Sequence, residues 1–175
     1  MTIRPATPED VPAVLPMVAA TCALHESWDP AKYGFVPAPA QMYRAWLTAR
    51  ATDPRSVFLV AEADDRGAAG PRLAGFLIAT ADHEVPVYRL KEFGFIHDLW
   101  VEPDYRHEGI ARQMTMLAIE KFSQMGLRQI RLDTAGPNDA ARALFKKCGF
   151  RESVREMLIE LPQPGGDPDG GARPA

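Results

Sequence analysis

The chain has 175 residues, of which 46% are hydrophobic and 25% charged, and its formal net charge is −3. This length and composition fit one globular domain with a full core. No apolar run approaches the roughly 20 residues that span a bilayer, and the absence of a basic block disfavours a nucleic-acid partner. Cys22 and Cys148 lie far apart and give no metal-ligand or disulfide pattern, and residues 1–5 lack the apolar stretch of a secretory signal. We therefore expect a cytoplasmic protein with no membrane, nucleic-acid or metal partner.

The first half of the chain predicts a strand, two helices and a hairpin. A short strand begins at Ile3, and Thr7-Pro8-Glu9-Asp10 is typical of a helix start. The helix fades near Glu26, and a Pro- and aromatic-containing connection leads to a second helix around Trp46. The apolar runs 56–63 and 73–81 flank a turn rich in Asp, Gly and Ala, which predicts an antiparallel hairpin.

The second half alternates strands and helices. Residues 93–101 predict a strand, and a strongly amphipathic helix follows until Gly126. A strand over residues 130–134, a helix capped by Asn138 and a last strand over residues 154–161 complete the pattern. We predict an α/β fold with a mixed sheet of about six to seven strands and helices on both faces. The domain is expected to cover residues 1–161, and the Pro- and Gly-rich residues 162–175 to form a disordered tail.

The turn between the 93–101 strand and the amphipathic helix is the most informative segment. A helix start presents unpaired N–H groups and a partial positive charge, which suit a phosphate. Gly109 allows the backbone to approach an anion closely, and Arg106 and Arg112 add charge. On this segment alone, the alternative that Gly109 only eases a turn stays open. The Walker and dinucleotide-binding glycine motifs are absent.

Two motifs resemble the GNAT N-acetyltransferase superfamily. Residues 96–111, IHDLWVEPDYRHEGIA, resemble its acetyl-CoA signature: a strand ending in Leu-x-Val-x-Pro, then Gln/Arg-x-x-Gly-x-Gly/Ala opening a helix. Residues 138–150, NDAARALFKKCGF, resemble the second motif, Asn-x-x-Ala-x-x-Leu-Tyr-x-x-x-Gly-Phe. The order of elements also fits from Ile3 to Leu161, so the resemblance covers nearly the whole chain.

This resemblance implies an acetyl-CoA-binding fold and a set of cofactor contacts. The backbone of Leu99 and Val101 would pair with the pantetheine arm, and an N–H near Leu99 or Trp100 would stabilise the oxyanion. Arg106 and the turn would hold the pyrophosphate, and Asn138 would contact the pantetheine or acetyl region unless it serves only as a helix cap. The turn residues after Arg106 are His107, Glu108, Gly109, Ile110, Ala111 and Arg112. His107 stands where a Gly is frequent, and Glu108 is expected to point to solvent.

A base is useful because alkyl ammonium groups have a pKa near 10 and the attacking amine must be neutral. His97 is the first candidate and Asp98 the second, with water or Glu102 left open. In a regular strand these two side chains point to opposite faces, with Phe95, His97, Leu99 and Val101 on one of them. A bulge would change that assignment. Asp98 is alternatively a group that attracts a cationic amine.

Phe145 departs from the family pattern, because many relatives have a Tyr there that protonates the leaving thiolate. We still expect Phe145 to lie beside the cofactor. The predicted function is acetyl transfer from acetyl-CoA to a primary amine of a small molecule or peptide, by direct attack in a ternary complex. Transfer of a longer acyl group and a CoA-binding sensor without turnover are the alternatives. A homodimer is an open option.

Overall fold

The computed structural model describes residues 1–64 and 72–161. Its strands are β1 (Thr2–Pro5), β2 (Ser56–Glu62), β3 (Leu73–His83), β4 (Glu92–Val101) and β5 (Ile130–Leu132). Its helices are α1 (Val11–Trp28), α2 (Pro39–Arg50), α3 (Ile110–Gln124) and α4 (Asp139–Lys147). The strands form one sheet in the order β1-β2-β3-β4-β5. All neighbours are antiparallel except β4 and β5, so the sheet is mixed, as predicted.

The strand count is lower than predicted, because the described residues contain five strands. The expected strand over residues 154–161 does not form, and every residue of that stretch is exposed. Its apolar alternation favours an extended backbone, but a strand also needs a neighbour for its N–H and C=O groups. The middle of the β2–β3 connection and the expected tail, residues 65–71 and 162–175, lie outside the described residues.

Two apolar layers hold the sheet between helices on both faces. On one face, α1 and α2 pack against the sheet around fully buried Val14, Leu47 and Phe76. On the other face, α3 and α4 pack around Met114 and Phe122. Each buried side chain of this size contributes about 1.5–3 kcal/mol relative to its exposed form. The expected pair of helical layers is confirmed.

Strand β4 contains a β-bulge at His97, which changes the side of the sheet to which the following side chains point. Asp98 pairs with Ile78 of β3, whereas Ile96 pairs with Ala79, so His97 has no opposite residue. The extra residue reverses the side-chain alternation beyond it. The assignment of Leu99 and Val101 to the face of His97 is therefore wrong. They pack with Ile96 against α3 and α4, whereas Trp100 packs on the α1–α2 side.

The two parallel strands meet only at their beginning. Strand β5 pairs with Gly94–Ile96 of β4, so residues 97–101 have no strand neighbour on that side among the described residues. Gly94 permits close packing at the paired end, because an added Cβ would lie 2.6 Å from the Phe122 ring of α3. The sheet is therefore tightly packed where the strands touch and open where they diverge.

Candidate functional site

The turn before α3 exposes backbone to solvent. His107 and Gly109 have positive φ angles of 67° and 81°, a conformation that costs a side-chain-bearing residue roughly 1–2 kcal/mol. Gly109 directly precedes the 15-residue helix α3, whose first N–H groups have no helical partners. A Cβ added at Gly109 would meet only Gln113 Nε2, at 3.9 Å. The turn therefore presents free N–H groups beside open space, as an anion site requires.

Of the charged residues in the turn, Arg106 folds back onto β4, whereas Glu108 and Arg112 point into solvent. Arg106 donates from Nε to the carbonyl oxygen of Val101 at 2.9 Å, and its guanidinium lies 4.9 Å from the Trp100 ring centre. The guanidinium is thus folded against the end of β4. Glu108 and Arg112 are exposed. Holding a pyrophosphate with Arg106 requires it to turn away from the strand.

The opening between β4 and β5 leads from this turn into the sheet. Backbone groups of Leu99, Trp100 and Val101 lie along the unpaired part of β4, where an extended molecule can bind like an added strand. Ile110 is buried at the start of α3, and Ala111 is partly buried. An elongated molecule with a phosphate at one end fits this combination of helix start and open strand.

Asn138 and Phe145 lie on α4 with clear structural roles. Asn138 Oδ1 accepts from the Ala141 N–H at 3.1 Å, which makes it the helix cap. Phe145 is 8% exposed and packs edge-on against Phe150, with ring centres 5.5 Å apart. Ligand contacts by these two residues stay predictions.

His97 is held by a hydrogen-bonded chain from β3. Thr80 Oγ1 lies 2.7 Å from His97 Nε2 and 2.6 Å from Asp82 Oδ1. The hydroxyl has one proton and a carboxylate only accepts, so Thr80 donates to Asp82 and accepts from Nε2–H. This leaves the lone pair on His97 Nδ1. The ring also packs edge-on against Trp46 of α2 at 5.2 Å.

The protonation of His97 suits a base. Although part of the residue is exposed, surrounding protein lowers the pKa of His97 below 6.5 by desolvation, and Arg50 lowers it further against the opposing effect of Asp82. The imidazole is therefore neutral at neutral pH.

Asp98 is a desolvated carboxyl. Burial raises the pKa of this carboxyl from 3.8 to about 6, so it is largely ionised above neutral pH. Its Oδ2 atom is buried and lacks a hydrogen-bond partner within residues 1–64 and 72–161. Its charge raises the pKa of Tyr43 on α2 and of Cys22 on α1, although burial is the larger cause for both. The bulge thus brings Asp98 and His97 to the same side of the sheet, facing α1 and α2.

Aromatic side chains cluster where α1 ends and the α1–α2 connection begins. The His25 ring lies 4.9 Å from Tyr33 and 5.4 Å from Trp28, and Phe35 packs against the core. The cluster is therefore formed by the last turn of α1 and the connection that follows it.

Thr80 and Asp82 are site residues that the sequence pattern did not single out. Both lie on β3, whose run of buried residues ends at Thr80. One signal was present, because Thr80 is a polar residue within an otherwise apolar run. Its contact with His97 depends on the strand register, which a single sequence does not specify.

The described residues contain no group of His, Cys, Asp and Glu side chains arranged to hold a metal ion. Over the same residues, no helix is long and apolar enough to cross a membrane.

Comparison with solved structures finds the same fold. A tetramutant of the BH1408 protein from Bacillus halodurans superposes with a TM-score of 0.78 at 20% sequence identity, covering 92% of this chain and 100% of that chain.

Curated relatives are acetyltransferases. Mycothiol acetyltransferase of Corynebacterium urealyticum is 31% identical over 102 residues, which are 56% of this chain and 30% of that protein. Aminoglycoside N(6')-acetyltransferase type 1 of Stenotrophomonas maltophilia is 24% identical over 163 residues, 92% of this chain and 93% of that protein. For two further relatives, the match spans 54% and 46% of their length.

A family model supports the same assignment. The model described as the acetyltransferase (GNAT) family matches residues 21–150, which include the turn, α3, α4 and the β4 bulge. The chain therefore belongs to the GNAT acetyltransferase family.

Proposed function

We propose that this protein transfers an acetyl group from acetyl-CoA to a primary amine of a small molecule or peptide. The main support for this proposal is the β4 bulge, because His97 and Asp98 then lie together on the α1–α2 side of the sheet. On the opposite side of the bulge, the unpaired part of β4 leads to the phosphate turn. One strand thus serves an amine site and an acyl-donor site. The named acetyltransferases among the relatives support this reaction class.

In the proposed reaction, the amine nitrogen attacks the thioester carbonyl within a ternary complex. A C–N bond forms, the C–S bond breaks, and the sulfur leaves as a thiolate. An acceptor that binds as an ammonium ion first loses one proton to water. The neutral amine loses a second proton as it attacks, and His97 Nδ1 takes it because Nε2–H is engaged by Thr80. A positioned base of this kind contributes about 10²–10⁴ in rate. A backbone N–H near Leu99 or Trp100 stabilises the developing oxyanion.

Asp98 is assigned a different role, the recruitment of the ammonium form of the acceptor. An ionised carboxylate in a desolvated position is stabilised by a nearby cation. The aromatic rings of Trp28, at the end of α1, and Tyr33, in the connection after it, add favourable faces for a cation. A cationic acceptor is therefore the preferred substrate class.

Measuring free thiol released from acetyl-CoA against a panel of amines tests this function. The panel contains aminoglycosides, polyamines, amino acids and peptides with free N-termini. We expect turnover with at least one cationic primary amine and none with its N-methylated quaternary analogue. Binding of CoA without turnover on the whole panel would contradict the proposal. The buried, hydroxyl-free ring of Phe145 favours that sensor function as the second candidate.

A further inference from the structure

Three hydrogen-bonding side chains form a chain on the α1–α2 side of the sheet: Asp82 and Thr80 on β3, and His97 on β4. Thr80 and Asp82 are two residues apart on one strand and therefore point to the same face. Thr80 pairs with Phe95 of β4, and His97 follows two residues later, at the bulge. The imidazole thus reaches the Thr80 hydroxyl diagonally across the two strands.

The direction of the hydrogen bonds in this chain is set at Asp82. An ionised carboxylate has no proton to donate, so the Thr80 hydroxyl donates to Oδ1. The same hydroxyl then offers only its lone pairs to His97, and Nε2 must carry a proton to use them. Without the carboxylate, the hydroxyl could donate to Nε2 instead, and the ring proton would then sit on Nδ1.

The other contacts of the His97 ring do not select its tautomer. The ring packs edge-on against Trp46 of α2, with ring centres 5.2 Å apart, and against Phe95 of β4 at 5.0 Å. These contacts restrict the rotation of the imidazole. The hydrogen bond to Thr80 is the contact that distinguishes Nε2 from Nδ1.

The chain also favours the charged form that His97 reaches when it takes a proton. Desolvation is the largest cause of the lowered pKa of His97, and Arg50 of α2 adds to it, whereas Asp82 raises the pKa. Asp98 is the next charged residue on β4 itself. In the imidazolium both ring nitrogens carry protons, so the bond from Nε2–H to Thr80 remains and is strengthened by the charge.

We propose that Asp82, acting through Thr80, is a positioning residue that makes Nδ1 the basic nitrogen of His97. The inference rests on the proposed function, in which Nδ1 takes the proton of the amine. In this role, Asp82 and Thr80 act through the ring and do not touch the substrate. A carboxylate that orients a histidine holds the correct tautomer, and its loss lowers turnover although the base is still present.

Nitrogen NMR of the ligand-free protein tests the tautomer directly. Two-bond ¹⁵N–¹H correlation spectra show which imidazole nitrogen is protonated, and His97→Gln identifies the His97 signals among the four histidines. Above the pKa of His97, we expect the wild-type proton on Nε2. A wild-type ring that is protonated on Nδ1 overturns the proposal. The spectra need no turnover, so they decide this inference even if the amine panel shows none and the proposed function fails.

Asp82→Asn makes both directions of the chain possible, because an amide accepts and donates. We expect at least about half of the His97 rings to carry the proton on Nδ1. Turnover, measured as kcat, should fall in proportion to the fraction that keeps it on Nε2. Asp133→Asn removes an exposed carboxylate outside the chain and should leave the tautomer unchanged. If Asp82→Asn shifts the pKa of His97 but keeps the wild-type tautomer, Asp82 acts through its charge alone and the proposal fails.

Thr80→Val and Thr80→Ser form a matched pair for the middle of the chain. Val keeps the branched shape without a hydroxyl, whereas Ser keeps the hydroxyl. In Thr80→Val we expect both tautomers of His97 and a kcat lowered about tenfold, which is part of the contribution of a general base. Thr80→Ser should keep the wild-type tautomer, with kcat within about threefold of the wild type. If the two variants give the same spectrum and the same kcat, the hydroxyl does not position the ring and the proposal is overturned.

Discussion

The proposed phosphate site, the turn of residues 106–112, and the proposed amine site, here called the amine face, differ in the part of the protein that would contact the substrate. The turn offers backbone N–H groups positioned by Gly109 and the start of α3. The amine face consists of side chains from three elements: Thr80 on β3, His97 and Asp98 on β4, and Trp46 on α2. A backbone site depends on a few spaced residues, whereas a side-chain site depends on register and packing. The first is therefore recognisable as a local motif. Of the second, the sequence indicates His97 and Asp98 but not their neighbours Thr80 and Trp46.

His97→Gln is expected to have the largest effect, because it removes the proposed base from the amine face. Turnover should fall about 10- to 1000-fold, with acetyl-CoA affinity near wild type. In the wild type, kcat should rise with pH through a value below 6.5, since desolvation lowers the pKa of His97. The variant should lack this rise.

Asp98→Asn is the control for that pH profile, because the pKa of Asp98 is raised to about 6 and lies in the same range. If His97 is the base, Asp98→Asn keeps the rise and mainly increases KM for the amine. If the rise of kcat with pH disappears in Asp98→Asn but remains in His97→Gln, Asp98 is the base.

The fold and the turn followed from the sequence because their signals are local. Helical spacing, the glycines and the two motifs each lie within about one element, and they located α3, α4 and the turn. The amine face needed information that crosses elements. One extra residue at His97 reversed the faces of Leu99 and Val101, and the Thr80 contact depends on β3–β4 register. The strand predicted over residues 154–161 was wrong for the same reason, since an alternating sequence does not specify the strand with which it pairs.

Asp98→Asn should also increase the free energy of unfolding at neutral pH, because the wild-type carboxylate is held in a desolvated position. Because the folded pKa is raised from 3.8 to about 6, the folded state favours the protonated carboxyl. The wild type therefore loses stability as pH rises from about 4 to 6, by up to about 3 kcal/mol at 1.36 kcal/mol per unit. Asn cannot ionise, so the variant should be more stable by up to that amount at pH 7.5 and nearly equal near pH 3.8.

Urea unfolding at both pH values measures this difference. The exposed carboxylate of Asp133 provides the control, and Asp133→Asn should change little. An Asp98→Asn variant that is no more stable at pH 7.5 would show that its charge is compensated.

Gly109→Ala tests the backbone site with an internal control. Gly109 and Gly126 lie at opposite ends of α3 with the same φ of 81°, and neither has an atom within 3.8 Å of an added Cβ. Both Ala variants should therefore lose a similar stability, about 1–2 kcal/mol. Only Gly109→Ala places a methyl group beside the turn, so CoA affinity should fall about tenfold there and stay unchanged in Gly126→Ala. Equal affinities by calorimetry would remove the turn from the phosphate site.

Phe145→Tyr should have the smallest effect on rate, although it restores the hydroxyl that many relatives carry. The ring is buried against Phe150, and a thiol with a pKa near 8.5 already leaves as a thiolate near neutral pH. We therefore expect kcat to change by less than about threefold, since a general acid adds little to a good leaving group. Phe150→Tyr makes the same chemical change on the other ring of the pair and controls for the cost of a buried hydroxyl, about 1–3 kcal/mol if unpaired. A gain in kcat above tenfold, seen at Phe145 and not at Phe150, would show that the Phe145 ring edge reaches the sulfur and that thiolate expulsion limits turnover.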